Sequence, residues 1–163
     1  MNISQSLRRV AFLKGEYHRL AEKLPDSITF REGNEPSFRF EELWNDMKTI
    51  SRELQDLRAR IAFANATTTV EVDGRDRTLI SLIDELRELK AYMAVLQKII
   101  PKTRAHSRRE LTEWNSYTKT EKQYVVICDY TERQADADYR AARQRFAKIN
   151  AALEAANQST STQ

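Results

Sequence analysis

The chain of 163 residues is 31% charged and 40% hydrophobic, with 27 basic against 24 acidic side chains and a net charge of +3. Three glycines and three prolines are too few for a β-sandwich or an open doubly wound sheet, so the balance points to a soluble helical domain with a real core. One cysteine, Cys128, excludes an intramolecular disulfide and a cysteine-rich metal site, and so mild a charge does not by itself mark a nucleic-acid binder.

Residues 3–24 predict a first helix. Asn2 with Gln5 resembles a capping pair, and Ile3, Leu7, Val10, Leu13, Tyr17, Leu20 and Leu24 form the apolar stripe. The amino terminus lacks the long apolar run of a signal peptide, and no stretch approaches a transmembrane segment, so the expectation is a cytoplasmic protein. Gly15 sits inside the helix at a cost of about 1 kcal/mol relative to alanine, either merely tolerated or marking close helix packing. Pro25 ends the helix in this reading, and residues 25–37 connect it to a second helix capped by Ser37.

That second helix, residues 38–64, carries Phe40, Leu43, Met47, Ile50, Leu54, Leu57, Ile61 and Ala64 at alternating gaps of three and four. From Thr67 to Val72 the pattern changes to β-branched alternation, and Asp73-Gly74 is a strong turn dipeptide, so residues 68–77 predict a small β-hairpin. Thr78 then caps a third helix, residues 79–100, with Leu79, Leu82, Leu86, Leu89, Met93, Leu96 and Ile100 in the same rhythm and Pro101 as its stop. A repeat of about 3.5 residues lays each set along one seam, so these two helices are expected to fold back on each other as an antiparallel hairpin.

Residues 102–123 lack an apolar period and read as a long loop, with a helical turn or two at Ser107–Trp114. Tyr124–Cys128 is short, apolar and β-branched, which predicts a strand beside the Val70 arm. Thr131 and Gln134 form a capping box for a fourth helix, residues 131–156, along which Ala135, Tyr139, Ala142, Phe146, Ile149, Leu153 and Ala156 recur. Residues 158–163 are a polar tail expected to fray.

The fold expected is mainly α: an antiparallel four-helix bundle, or coiled-coil hairpins, with a small β-hairpin insertion, as one domain over residues 1–157. Its seam comprises Leu43, Met47, Ile50, Leu54, Leu57 and Ile61, then Leu82, Leu86, Leu89, Met93 and Leu96, then Tyr139, Phe146, Ile149 and Leu153. Seams this narrow leave a self-contained bundle short of apolar surface. The extra apolar positions, Trp44, Phe63, Ile80, Ile83 and Ile99, cluster toward helix ends, so a homo-oligomer is expected.

Two helix ends look alike: Asn65-Ala-Thr67-Thr68 and Asn157-Gln-Ser159-Thr160. Both match the glycosylation acceptor pattern. Without a secretion signal the physical reading is preferred, in which each asparagine adopts left-handed geometry and ends its helix. The likeness also points to a duplicated helical hairpin.

Asn65-Ala-Thr67, the passage from Asp73-Gly74 into Thr78-Leu79, Ser107-Arg108-Arg109-Glu110 and Glu154-Ala-Ala-Asn157 together resemble the septicolysin-type family. Its members are small bacterial helical proteins, mostly without known function. The resemblance spans most of the chain, which departs from it in a longer stretch between Glu110 and Tyr124 and in Gln158 where an aromatic is expected. It implies a shared helical fold, and the family's name implies a pore-forming haemolysin acting on membranes.

The residues themselves offer little catalytic chemistry. His18 and His106 lack the Glu-x-x-His spacing of di-iron bundles, and Glu85 with Glu88 is a pair that charged helix faces produce routinely. A nucleophilic Cys128 partnered by His106 is weighed against a small buried cysteine, and the latter is preferred. No glycine-rich phosphate loop exists. No catalytic, cofactor or metal residue is therefore assigned. Lys98, Lys102, Arg104, Arg108 and Arg109, followed by Trp114, are the candidate contacts for nucleic acid or another anion; the alternative is a solvated loop facing acids on a neighbouring subunit. The function expected is a non-enzymatic, self-associating bundle. A septicolysin-like toxin is the alternative, and nucleic-acid binding a lesser one.

Overall fold

The computed structural model describes residues 1–29, 31, 33, 38–105, 109–115, 119–126 and 129–162. Among these, four helices carry most of the chain: α1 (Ile3–Ile28), α2 (Phe40–Thr67), α3 (Leu79–Ala105) and α4 (Glu132–Ser159). Two antiparallel hairpins accompany them, β1 (Thr69–Val72) with β2 (Arg75–Thr78), and β3 (Arg109–Asn115) with β4 (Thr120–Val126). The chain divides into two compact units, Met1–Ile80 with Ala152–Gln163, and Ser81–Ala151.

In the first unit α1 and α2 run antiparallel. Arg9 near the start of α1 bonds Glu53 in the second half of α2 at 2.7 Å, while Lys23 near the end of α1 lies over the Phe38 ring just before α2. Between these points Leu20 packs with Leu43 and Met47, flanked by Ala21, Leu24 and Ile50. The start of α1 has the expected reciprocal cap: the Gln5 N–H donates to Asn2 Oδ1 at 2.8 Å and the Asn2 N–H to Gln5 Oε1 at 3.0 Å.

The prolines do not end their helices. α1 continues through Pro25 to Ile28, and α3 through Pro101 to Ala105. A proline removes one helical donor and crowds the carbonyl one turn back, a cost confined here to the last turns. A hydroxyl two residues later bonds a carbonyl of that same last turn in each case. Buried Ser27 donates to the Leu24 carbonyl at 2.7 Å, and buried Thr103 to that of Ile100 at 2.8 Å.

The second helix begins at Phe40 with Arg39 in the N-cap position and no side-chain cap, while Ser37 lies outside the described residues. Glu41 and Glu42 in its first turn favour the positive end of the helix dipole. Asn65 and Asn157 stay helical, contrary to the left-handed geometry expected of them. Among described non-glycine residues positive φ is confined to Asp73 and Lys119. Instead the Thr68 N–H closes the last turn of α2 on the Ala64 carbonyl at 2.9 Å, and an extended Thr68 leads into β1. Asp73 (φ 57°) and Gly74 (φ 72°) then make the two-residue turn, with Thr69 opposite Thr78 and Val72 opposite Arg75.

The polar tail is not frayed. The Ile3 N–H, an orphan donor at the start of α1, is met by the Thr160 carbonyl at 3.1 Å, and Asn2 Nδ2 donates to the Gln158 carbonyl at 2.9 Å. The Thr162 N–H donates to the Met1 carbonyl at 2.8 Å, and the hydroxyls of buried Ser6 and Thr162 share a hydrogen bond of 2.8 Å. Polar composition suggested fraying, but the exposed donors of a helix start give those groups partners.

In the second unit α3 and α4 are also antiparallel, with Arg145 bonded to Glu85 at 2.6 Å and Gln97 to Tyr139 at 2.9 Å. Thr131 and Gln134 form the expected cap ahead of Glu132. The long loop expected over 102–123 is replaced by the end of α3 and by β3. The strand expected at Tyr124–Cys128 is β4, which pairs with β3 rather than with the Val70 arm. Leu111 and Trp114 lie three residues apart in a polar stretch, a spacing that mimics a helical turn. The cross-strand register, from Asn115 opposite Thr120 to Arg109 opposite Val126, decides the matter.

The two helical hairpins repeat one another. At constant spacing Leu20, Pro25 and Ser27 of α1 match Leu96, Pro101 and Thr103 of α3, while Leu57, Ile61, Ala64 and Thr68 match Ile149, Leu153, Ala156 and Thr160. Contacts repeat with them. Thr68 N–H reaches the Ala64 carbonyl and Thr68 O receives Leu79 N–H, as Thr160 N–H reaches Ala156 and Thr160 O receives Ile3 N–H. The Asn2–Ser161 bridge falls where Thr78 pairs with Thr69.

Candidate functional site

Between α1 and α2 lies an open groove of about 560 Å³, lined by Lys14, Gly15, Tyr17, His18, Ser51, Leu54, Gln55 and Arg58. Helical spacing places Lys14, Gly15 and His18 along one flank of α1, and Ser51, Gln55 and Arg58 along one flank of α2. Leu54, buried in the hairpin core, sits between them. Three lining side chains are basic and none is acidic. Of the carboxylates nearby in sequence, Glu16 and Glu53 are engaged by Arg19 at 2.6 Å and Arg9 at 2.7 Å, and both are held below the ordinary carboxylate range by those hydrogen bonds.

Gly15 borders this groove, and a Cβ there would meet nothing within 4 Å. Close helix packing therefore does not explain the glycine. Sequence reasoning missed the site. Its one available signal was a mid-helix glycine flanked by Lys14 and His18, without any indication of what faced it across the hairpin.

The seam residues divide by depth. Leu43, Met47, Leu54, Leu57, Ile61, Leu82, Leu96, Ile149 and Leu153 are buried. Ile50, Leu86, Leu89, Met93, Tyr139 and Phe146 are half-buried. Beside the half-buried part of α3, Tyr92 and Val95 remain 46% and 52% exposed. Of the candidate nucleic-acid contacts, Lys98 and Lys102 are exposed on α3. Arg108, His106 and Cys128, and the side chains of Arg104, Arg109 and Trp114, lie outside the described residues.

Among the described residues no group of three or more His, Cys, Asp or Glu side chains is placed to hold a metal ion, and no helix is long and apolar enough to cross a membrane. The Tyr130 hydroxyl donates to Asp138 at 2.5 Å, a bond that pushes its pKa up to about 12.

A family model described as "Family of unknown function (DUF6847)" matches residues 11–161. No curated protein matches the chain. Among solved structures the chain is similar to a functionally unknown conserved protein from Corynebacterium diphtheriae, at 16% identity and a TM-score of 0.76, over 100% of this chain and 99% of that one. Similarity at that identity speaks for the fold alone.

Proposed function

We propose, for a chain that belongs to this family of unknown function, a non-enzymatic role in which its helices form an antiparallel bundle that associates with a second copy through one face of α3. The observation that carries the reading is the pair Tyr92 and Val95, 46% and 52% exposed. They lie three residues apart and so on one side of the helix, beside half-buried Leu89 and Met93. Together these four side chains make an apolar strip wider than a single seam. Covering such surface is favourable by about 25 cal/mol per Å² of apolar area removed from water. A second copy brings the same strip, and a twofold pairing closes without leaving an open face. Glu88, Lys90 and Lys98 at the edges supply a polar rim.

Light scattering at micromolar concentration tests this. The protein should report a multiple of 19.0 kDa. Tyr92→Ser combined with Val95→Ser should reduce the mass to one chain while circular dichroism keeps the helix signal. A fully helical wild-type monomer at that concentration overturns the reading.

A further inference from the structure

The positions that line the groove of the first hairpin have counterparts in the second, with different side chains. Positions matching Gly15, His18, Leu54 and Arg58 hold Ala91, Ala94, Phe146 and Asn150. Lys90, the match of Lys14, lies 5.6 Å from the centroid of the Phe146 ring. The second hairpin therefore supplies both the cation and the aromatic ring beneath it, an attractive pairing in its own right. The first hairpin keeps the cation, adds His18 and Arg58, and replaces the ring by a smaller leucine beside a glycine. Lys14, His18 and Arg58 have no hydrogen-bond or ion-pair partner among the described residues, and no carboxylate lines the space. At about 560 Å³ the space has the size of a small-molecule site.

We propose that this groove binds a small aromatic anion, with a phosphate or carboxylate head held by Lys14, His18 and Arg58 and a ring lying over Leu54 beside Tyr17. The ligand supplies the ring that Phe146 provides in the second hairpin, and its negative charge meets cations that the chain leaves unpaired. Gly15 keeps the space open, which accounts for a helix-weakening residue where packing asks for none.

Isothermal titration calorimetry with 1-naphthyl phosphate, 1-naphthoate and uncharged 1-naphthalenemethanol tests the assignment. At least one anion should bind once per chain and more tightly than the alcohol, with affinity falling as salt is added. The tighter of the two names the head group. Gly15→Leu should weaken that anion by about tenfold or more, a change calorimetry resolves readily, without lowering the melting temperature, because leucine favours helix and the space is open. Leu54→Phe, which copies the second hairpin, provides an independent block. Lys14→Gln with Arg58→Gln should bring the anion down to the affinity of the alcohol. Absence of binding by both anions, an alcohol that binds as well as they do, or full affinity in folded Gly15→Leu and Leu54→Phe overturns the proposal.

Discussion

In the α1–α2 hairpin Arg9 on the first helix holds Glu53 on the second; at the matching positions of α3–α4 the charges are exchanged, with Glu85 on the first helix and Arg145 on the second. Both pairs keep a good part of their side chains in water. A bridge of this kind contributes little, and which partner carries which charge hardly matters to the fold. What recurs with its chemistry intact lies deeper: the aliphatic rows, the hydroxyl after each proline, and the carbonyl that receives the first N–H of the next helix. The hairpins differ at other places. One has an open basic groove where the other has Phe146. One joins its helices through residues 29–39, while the other spends residues 106–131 and builds β3–β4 there.

The comparison breaks most readily in the core. Leu82, fully buried, should lose about 2–5 kcal/mol on substitution by alanine, while half-buried Leu86, on the same seam, should lose less. Denaturant melts in which Leu86→Ala is the more damaging would reverse the assignment of α3's inner face. Next in size is the joint between residues 1–6 and 158–162. Asn2→Ala removes the side-chain half of the reciprocal cap and the bond to the Gln158 carbonyl, for an expected loss of about 1–2 kcal/mol. Thr78→Ala, at the matching place in the β1–β2 hairpin, should cost less because a two-residue covalent turn already holds those strands together. Equal losses in thermal melts would show that the turn adds nothing.

The ion pairs should contribute less still. A double-mutant cycle on Glu85 and Arg145 should give a coupling of about 0.2–1 kcal/mol. For Glu53 the hydrogen bond from Arg9 lowers the folded-state pKa. Its contribution is therefore present above the unfolded carboxylate pKa and is lost as pH falls through the lower folded value. Glu53→Gln should flatten that part of the acid stability profile, and a profile parallel to wild type would remove Glu53 from the account. The smallest effect expected is none: dye-filled vesicles, anionic or sterol-containing, should not leak. Glu53, Asp56 and Glu88 lie among Arg52, Arg58 and Arg87, so an anionic surface repels nearly as many side chains as it attracts. Dose-dependent leakage, abolished by prior denaturation, would restore the haemolysin expectation raised by the septicolysin resemblance.

The sequence by itself determined the helices, the capping pairs at Asn2 and Thr131, the Asp73-Gly74 turn and most of the buried rows, because these depend on spacing and on local hydrogen bonds within a few residues. Even the repetition was visible in Asn65-Ala-Thr67-Thr68 and Asn157-Gln-Ser159-Thr160, although the asparagines proved to be helical. Only the tertiary structure decided what depends on distant partners. A seam does not name its partner, and the contacts within each unit join α1 to α2 and α3 to α4. Polar residues 158–162 gained order from donors that α1 leaves open more than a hundred residues earlier in the chain. The strand β3 drew its register from β4 rather than from any alternation of its own. The groove arose from the same cause: Gly15, Leu54 and Arg58 have unremarkable neighbours in sequence, and become a basic cavity only where two antiparallel helices bring them together.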